Sequence, residues 1–232
     1  MKNATQSTKK LTSLLNARPE PPVVEFPDAD DPVAVLVQSF LLWESTTEKA
    51  KAAYARLREH VVDFNDLRVT MPNEMAEYIG TRYPKAVLRC QRLRAVLRNV
   101  YLREHSVSLE ELKTAGKREV KKYVESLEGI VPYVEARLLL MCFDSHAVPV
   151  DEQLRDLLAE AGIVEEGADV AEVASWLARQ IKAKDAPRTH AVFQAWSDTA
   201  ERKPVSKKKS STKKTTKKTP RKKTAGTSRK RG

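Results

Sequence analysis

An all-α fold is what this sequence predicts, on three observations. Apolar residues from position 33 onwards recur at i, i+3, i+4 and i+7 rather than at alternate positions. Helix-start signals, an Asp or Ser followed by Pro or by Glu three residues on, stand in front of most of these runs. The 232 residues contain only seven glycines, no internal repeat and no stretch of period two. A chain of this length can close one large domain or two small ones around a sizeable core.

The elements follow in order. Residues 1–17 are polar, and Pro19, Pro21, Pro22 and Pro27 with Asp28, Asp30 and Asp31 exclude a helix there, so residues 1–30 are expected to be a flexible Pro-rich leader. Order begins at Asp31-Pro32, a cap followed by proline. Val33, Leu36, Val37, Phe40 and Leu41 then form one face, and Val35, Leu42 and Trp43 fill much of the other. A helix apolar nearly all round is a central one. Ser45 and Glu48 have capping-box spacing and open a helix to about His60, with Ala50, Ala53, Tyr54 and Leu57 inward.

Pro72 starts a short helix, and Arg82-Tyr83-Pro84 starts a long one reaching about Arg103. In the long helix Ala86, Cys90, Leu93, Leu97 and Val100 face inward. Lys85, Arg89 and Arg92 flank that face on one side, Arg94 and Arg98 on the other. From Arg82 to Arg103 there are seven basic residues and no acidic one, which is either a solvated face or a surface for phosphates. Ser108 and Glu111 open a further short helix ended by Gly116, after which Lys117, Arg118, Lys121 and Lys122 lead into a turn at Leu127–Val131. Pro132 begins a mostly buried helix through Phe143, and a loop then delivers Asp151 to the start of another helical segment. Helices are expected at 152–161, 169–184 and 187–200.

The net charge of +11 is unevenly distributed. Residues 203–232 hold fourteen Lys or Arg and no carboxylate, so the remaining 28 basic and 31 acidic residues leave the body near −3. This tail has too little apolar surface to offset the cost of ordering itself and is expected to be disordered and to bind polyanions through residues such as Lys207, Lys208, Lys209, Lys213 and Lys214. The body is then residues 31–202. Cys90 and Cys142 lack metal-ligand spacing, and His60, His105, His146 and His190 are scattered singly, so no metal site and no disulfide framework is expected. Trp43, Trp176 and Trp196 sit on apolar helical faces and read as core. No run is long and apolar enough for a membrane span, and no secretory signal is evident; a cytoplasmic, nucleoid-associated location, nuclear in a eukaryote, is expected.

The order Leu127-Glu128-Gly129-Ile130-Val131, Pro132-Tyr133, an apolar helix, then Val150-Asp151 resembles the core of the helix-hairpin-helix DNA glycosylases, the endonuclease III-like superfamily. There L-P-G-V-G precedes R-K-T-A, a helix and V-D-T-H. The segment aligns without a gap through Asp151. Asp31-Pro32 through Leu57 is similar to that family's opening helix pair, and Thr189–Trp196 to a helix near its C-terminus, so the resemblance spans roughly residues 31–200. It implies a two-lobed helical body, Asp151 as the catalytic carboxylate, and a DNA phosphate held at the hairpin backbone of Gly129, Ile130 and Val131. Lys85, Arg89, Arg92, Lys121 and Lys122 would add phosphate contacts, and Tyr133 and Glu44 would lie at the base pocket.

The departures carry as much information. Members that also cut the strand have a Lys where this chain has Tyr133, and a phenol cannot form their Schiff base, so no β-lyase activity is expected. Val131 replaces the hairpin's second glycine and Pro132 offers no N–H, which weakens the grip on phosphate; a positive φ at Val131 would be strained. Glu44 replaces a Gln on the DNA face, adding repulsion. The four iron–sulfur cysteines are absent, so no cofactor is expected. The resemblance implies a DNA base-excision protein acting as a monomer on duplex DNA, with RNA also open to the tail. The alternatives are a non-catalytic nucleoid or chromatin protein on the same fold, with Asp151 a mere N-cap, and a helical protein-interaction module whose tail binds RNA or ribosomes.

Overall fold

The computed structural model describes residues 4–18, 21 and 26–200, and the basic tail with Lys207, Lys208, Lys209, Lys213 and Lys214 lies outside them. The described residues form eleven α-helices and no strand. In chain order these are α1 (Ala4–Ala17), α2 (Pro32–Leu42), α3 (Thr47–His60), α4 (Phe64–Val69), α5 (Pro72–Ile79), α6 (Ala86–Glu104), α7 (Lys117–Glu125), α8 (Pro132–Cys142), α9 (Glu152–Glu160), α10 (Val170–Gln180) and α11 (Ala186–Thr199). Short 3-10 turns lie at Glu110–Thr114 and Ala183–Asp185.

Helices α2 to α8 share one core, centred on α2, all eleven of whose residues are buried. α2 packs on α3, α6 and α8, while α5 lies across α3 and α6. A second core gathers Leu140 of α8, the extended Val148 and Val150, and the inner faces of α9, α10 and α11. Helix α8 thus belongs to both, and the loop 143–151 carries the chain from one to the other. This is the two-lobed all-helical body expected from the sequence.

Local signals set most boundaries. Pro32, Pro72 and Pro132 each occupy a first-turn position, where a missing N–H costs nothing. Asp31, Asp151 and Asp169 each cap the helix that follows through a side-chain oxygen.

Two expectations need correction, and two further helices went unpredicted. Residues 4–17 are not loose: they form α1, whose Leu11 is buried in the second core with Leu14 and Leu15 packed against it. Leu11, Leu14 and Leu15 stand at i, i+3 and i+4, a stripe of one turn that becomes a buried face only against the second core. The α3 cap is Thr46, which accepts from the Lys49 N–H; the Ser45 hydroxyl is buried without a hydrogen-bond partner. Residues 64–69 form α4, capped by Asp63. The Lys/Arg-rich segment after Gly116 is itself helix α7, whose Val120 and Val124, one turn apart, are buried while its basic residues stay outside.

Candidate active site

The site is assembled where the α2–α3 junction meets the start of α9. Asp151 has the extended backbone of an N-cap, and its Oδ1 accepts from the Leu154 N–H at 2.9 Å. Its Oδ2 accepts from the backbone N–H of Glu44 at 2.8 Å, across 107 residues of sequence. The carboxylate therefore fastens one lobe to the other as well as capping a helix. Asp151 is 8% exposed. Burial raises its pKa above the ordinary carboxylate range, against the opposing pull of the Leu154 and Glu44 N–H donors.

Glu44 has a left-handed backbone, φ +49°, which turns the chain sharply between α2 and α3. Its Oε1 accepts from Lys85 Nζ at 2.5 Å, and Lys85, also left-handed at φ +51°, is the residue on which α6 starts. The Lys85 ammonium lies 4.9 Å from the centre of the Trp43 ring. Glu152, next to Asp151, faces Glu44. Burial, and then the hydrogen bond shared with Glu152, push the Glu44 carboxyl up to about 7, with Lys85 pulling the other way. Burial also resists ionisation of Glu152, but the hydrogen bond from Glu44, its own backbone N–H and the charges of Lys85 and Arg155 together hold Glu152 below the ordinary range. The Glu44–Glu152 pair thus retains a proton up to about pH 7, in the hydrogen bond between the two carboxyls.

Glu44 is accordingly not the bare repulsive charge expected from the sequence. The linkage gives a testable sign. Its pKa rises from 4.5 to about 7 on folding, so the stabilisation it contributes is fully present below pH 4.5 and is lost as pH rises through about 7. Denaturant titrations across that interval should show wild-type stability falling with pH and Glu44→Gln losing much of the slope. An identical slope in both proteins would remove the proton from Glu44.

Tyr133 lies behind Asp151, buried, with its hydroxyl donating to Gln194 Oε1 at 3.1 Å and its ring edge-on to His190 at 6.4 Å. Burial raises the phenol's pKa and lowers that of His190 to about 3, so the pair is neutral at physiological pH. Gln194 Nε2 donates to Asp198 Oδ1, which also accepts from the Thr47 N–H at 2.9 Å. Gln153 Nε2 donates to the Ser197 carbonyl. Helix α11 thereby pins the junction, α8 and α9 together. Gln194, Asp198 and Glu152 belong to the site and were missed as sequence candidates, because polar residues on an amphipathic helix carry no sign of what they will face. His146 is exposed, and Asp144 is tied to Lys117 at the surface.

Several predicted phosphate contacts fall elsewhere. Arg89 is 0% exposed: its Nη2 donates to the Trp43 carbonyl at 2.6 Å, closing the C-terminal end of α2, and to the Pro84 carbonyl. It cannot meet DNA. Arg92 is half-buried and its Nη1 donates to the Gly129 carbonyl at 3.4 Å, so it braces the hairpin. Lys85 is exposed but paired with Glu44. Lys121 and Lys122 are exposed on α7, with Lys121 bridging to Glu125. A second buried arginine, Arg137, donates to Ser39 Oγ at 2.8 Å and anchors α8 on α2.

At the hairpin, Gly129 has φ +90° and Val131 has φ −118°, so the branched residue stands in ordinary extended backbone without strain. The Glu128 N–H is engaged by Asn99 Oδ1 and the Ile130 N–H by the Leu127 carbonyl, which leaves fewer donors for a phosphate. Among the described residues no group of three or more His, Cys, Asp or Glu could hold a metal ion, and no helix is long and apolar enough to cross a membrane.

No protein-family model and no curated protein matches the chain. Solved structures do. A thermostable thymine-DNA glycosylase superposes with TM-score 0.58 at 17% identity, over 88% of this chain and 90% of that one. Endonuclease III trapped as a covalent intermediate with DNA gives 0.58 at 16%, over 82% of each chain. The 8-oxoguanine glycosylase/lyase of Clostridium acetobutylicum, in complex with double-stranded DNA, gives 0.57 at 13%, over 82% of this chain and 68% of that one. At such identities it is architecture that is shared, and by that measure the chain has the all-helical fold of the endonuclease III-like helix-hairpin-helix DNA glycosylases.

Proposed function

We propose that the protein is a DNA N-glycosylase without β-lyase activity, which removes a base from duplex DNA and leaves the strand intact. The observation that carries this reading is Asp151, at the family's catalytic position in the hairpin resemblance, held by two N–H donors at the lobe junction beside a second carboxyl, Glu44, that keeps a proton near neutral pH. Glu44 as proton donor and Asp151 as the charge-stabilising carboxylate would divide between them the two roles that cleavage of a glycosidic bond requires. In this mechanism a flipped nucleotide displaces the side chains that cover Asp151. The C1′–N bond breaks with its electron pair going to the base, which takes the Glu44 proton. The Asp151 carboxylate stabilises the positive sugar until water adds, and the water's proton returns to Glu44. Tyr133, neutral and hydrogen-bonded to Gln194, offers no amine to the sugar.

The test is a panel of duplexes carrying uracil, oxidised pyrimidines, alkylated purines or mismatches, incubated with protein and then treated with alkali to reveal abasic sites. Strand breaks should need the alkali and disappear with Asp151→Asn. No release across the panel, or release that survives the substitution, refutes the proposal.

A second reading is a DNA-binding protein without chemistry on this fold. It is favoured by the engagement of both Asp151 oxygens, which gives that residue a complete structural role. Under it the panel stays inert while duplex binding persists.

A further inference from the structure

The stripe of α6 opposite its buried face forms the floor of a groove of about 480 Å³, lined by Gln91, Arg94, Ala95, Arg98, Asn99 and Leu102, with Pro72 and Glu128 as its walls. It lies directly beside the hairpin. A Cβ on Gly129 would stand 2.9 Å from the Arg92 carbonyl oxygen and 3.1 Å from the Ala95 Cβ, so the turn rests on this same helix. Arg98 is exposed, and Arg94 is half-buried with an Nε that has no hydrogen-bond partner. Among the described residues neither forms an ion pair, in contrast to Lys85, Lys117 and Lys121. Glu128 is the one carboxylate in the lining, against two guanidiniums.

We propose that this groove seats the sugar–phosphate backbone of duplex DNA, continuing the track that begins at the hairpin, with Arg94 and Arg98 as the phosphate ligands of α6 in place of the buried Arg89. The inference deepens the DNA-directed reading above and rests on it for the choice of a nucleic acid. Arg94 and Arg98 are four residues apart, so their backbones lie about 6 Å apart along the axis on one face of α6, which lets both side chains reach phosphates of the same strand. Arginine suits the task because its planar fork can take a phosphate through two N–H donors. The amides of Gln91 and Asn99 line the same floor, and Leu102, 59% exposed, closes its far end with an apolar surface.

The experiment is a salt titration of full-length protein on a short lesion-free duplex, comparing wild type, Arg98→Gln and the double variant Arg94→Gln/Arg98→Gln. Each lost phosphate contact should flatten the slope of log affinity against log salt by about 0.9, so the expected losses are about 0.9 and about 1.8. Because Arg98 is exposed, the single variant tests the idea even if the double variant folds poorly. Unchanged slopes overturn the proposal, and so does polyglutamate binding that falls with the same substitutions as much as duplex binding does, which would make the partner an acidic protein. Base release from the panel is assayed on the same samples. A flattened slope with an inert wild type retains the groove and discards the glycosylase, whereas an active wild type with unchanged slopes does the reverse.

Discussion

Asp151→Asn is expected to lower base release by about 10²- to 10³-fold, the usual loss when a preorganised charge is removed from beside a developing one. Asp151→Ala should show a second effect that chemistry alone would not produce. It deletes the cap of α9, worth about 0.5–2 kcal/mol, and strands the Glu44 N–H, whose partner is Asp151 Oδ2 at 2.8 Å, at about 1–3 kcal/mol for a buried unsatisfied donor. Together these predict a loss of about 2–4 kcal/mol in denaturant unfolding. Asn should be milder, since its amide oxygen can still cap α9, although it cannot serve Glu44 at the same time. An Ala variant as stable as wild type would show that the carboxylate is not the clamp between lobes. If Asn and Ala lost equal stability, the cap and the clamp could not be separate contributions.

Gly129→Ala should be nearly as damaging. The backbone stands at φ +90°, and the new Cβ would meet the Arg92 carbonyl oxygen at 2.9 Å, a backbone atom within helix α6 that cannot swing aside. Conformational strain of about 1–3 kcal/mol and overpacking of similar size predict a loss of about 2–4 kcal/mol. Gly167→Ala separates the two contributions, because Gly167 has φ +72° but nothing within 4 Å of its would-be Cβ. It should incur the strain alone. If both substitutions destabilise equally, the close approach of the hairpin to α6 contributes nothing. Duplex affinity should fall for Gly129→Ala and hold for Gly167→Ala, since only the first displaces the turn.

Much of the fold was legible in the chain because its signals are local. A proline at the first helical position and an Asp whose oxygen reaches an N–H two or three residues on need nothing beyond their own segment, and Pro32, Pro72, Pro132, Asp31, Asp151 and Asp169 all stand where the sequence put them. The apolar wrap of α2 announced its central place. Helix α7 was hidden because two valines at i, i+4 are a faint stripe among lysines, and α4 because six residues hold barely one turn of pattern. Helix α1 was hidden because Leu11, Leu14 and Leu15, although at helical spacing, are a single turn of stripe in a polar segment followed by prolines.

For the site, the sequence by itself determined which chemical groups are present and which are absent. Asp151 starts a helix, and Tyr133 is the residue that the family resemblance sets in the place of an amine. The tertiary structure decided what each group does, because the deciding contacts join residues far apart. Arg89 and Arg94 are both arginines of the basic helix α6, five residues apart, yet the first is drawn inward by the Trp43 carbonyl and the second is left facing a groove. Glu44 is a surface carboxylate until folding sets it against Glu152 and Lys85, and Asp151 is an ordinary cap until the α2–α3 junction brings the Glu44 N–H to its second oxygen. A side chain's burial and its proton are properties of its neighbours in space, and a linear pattern does not carry them.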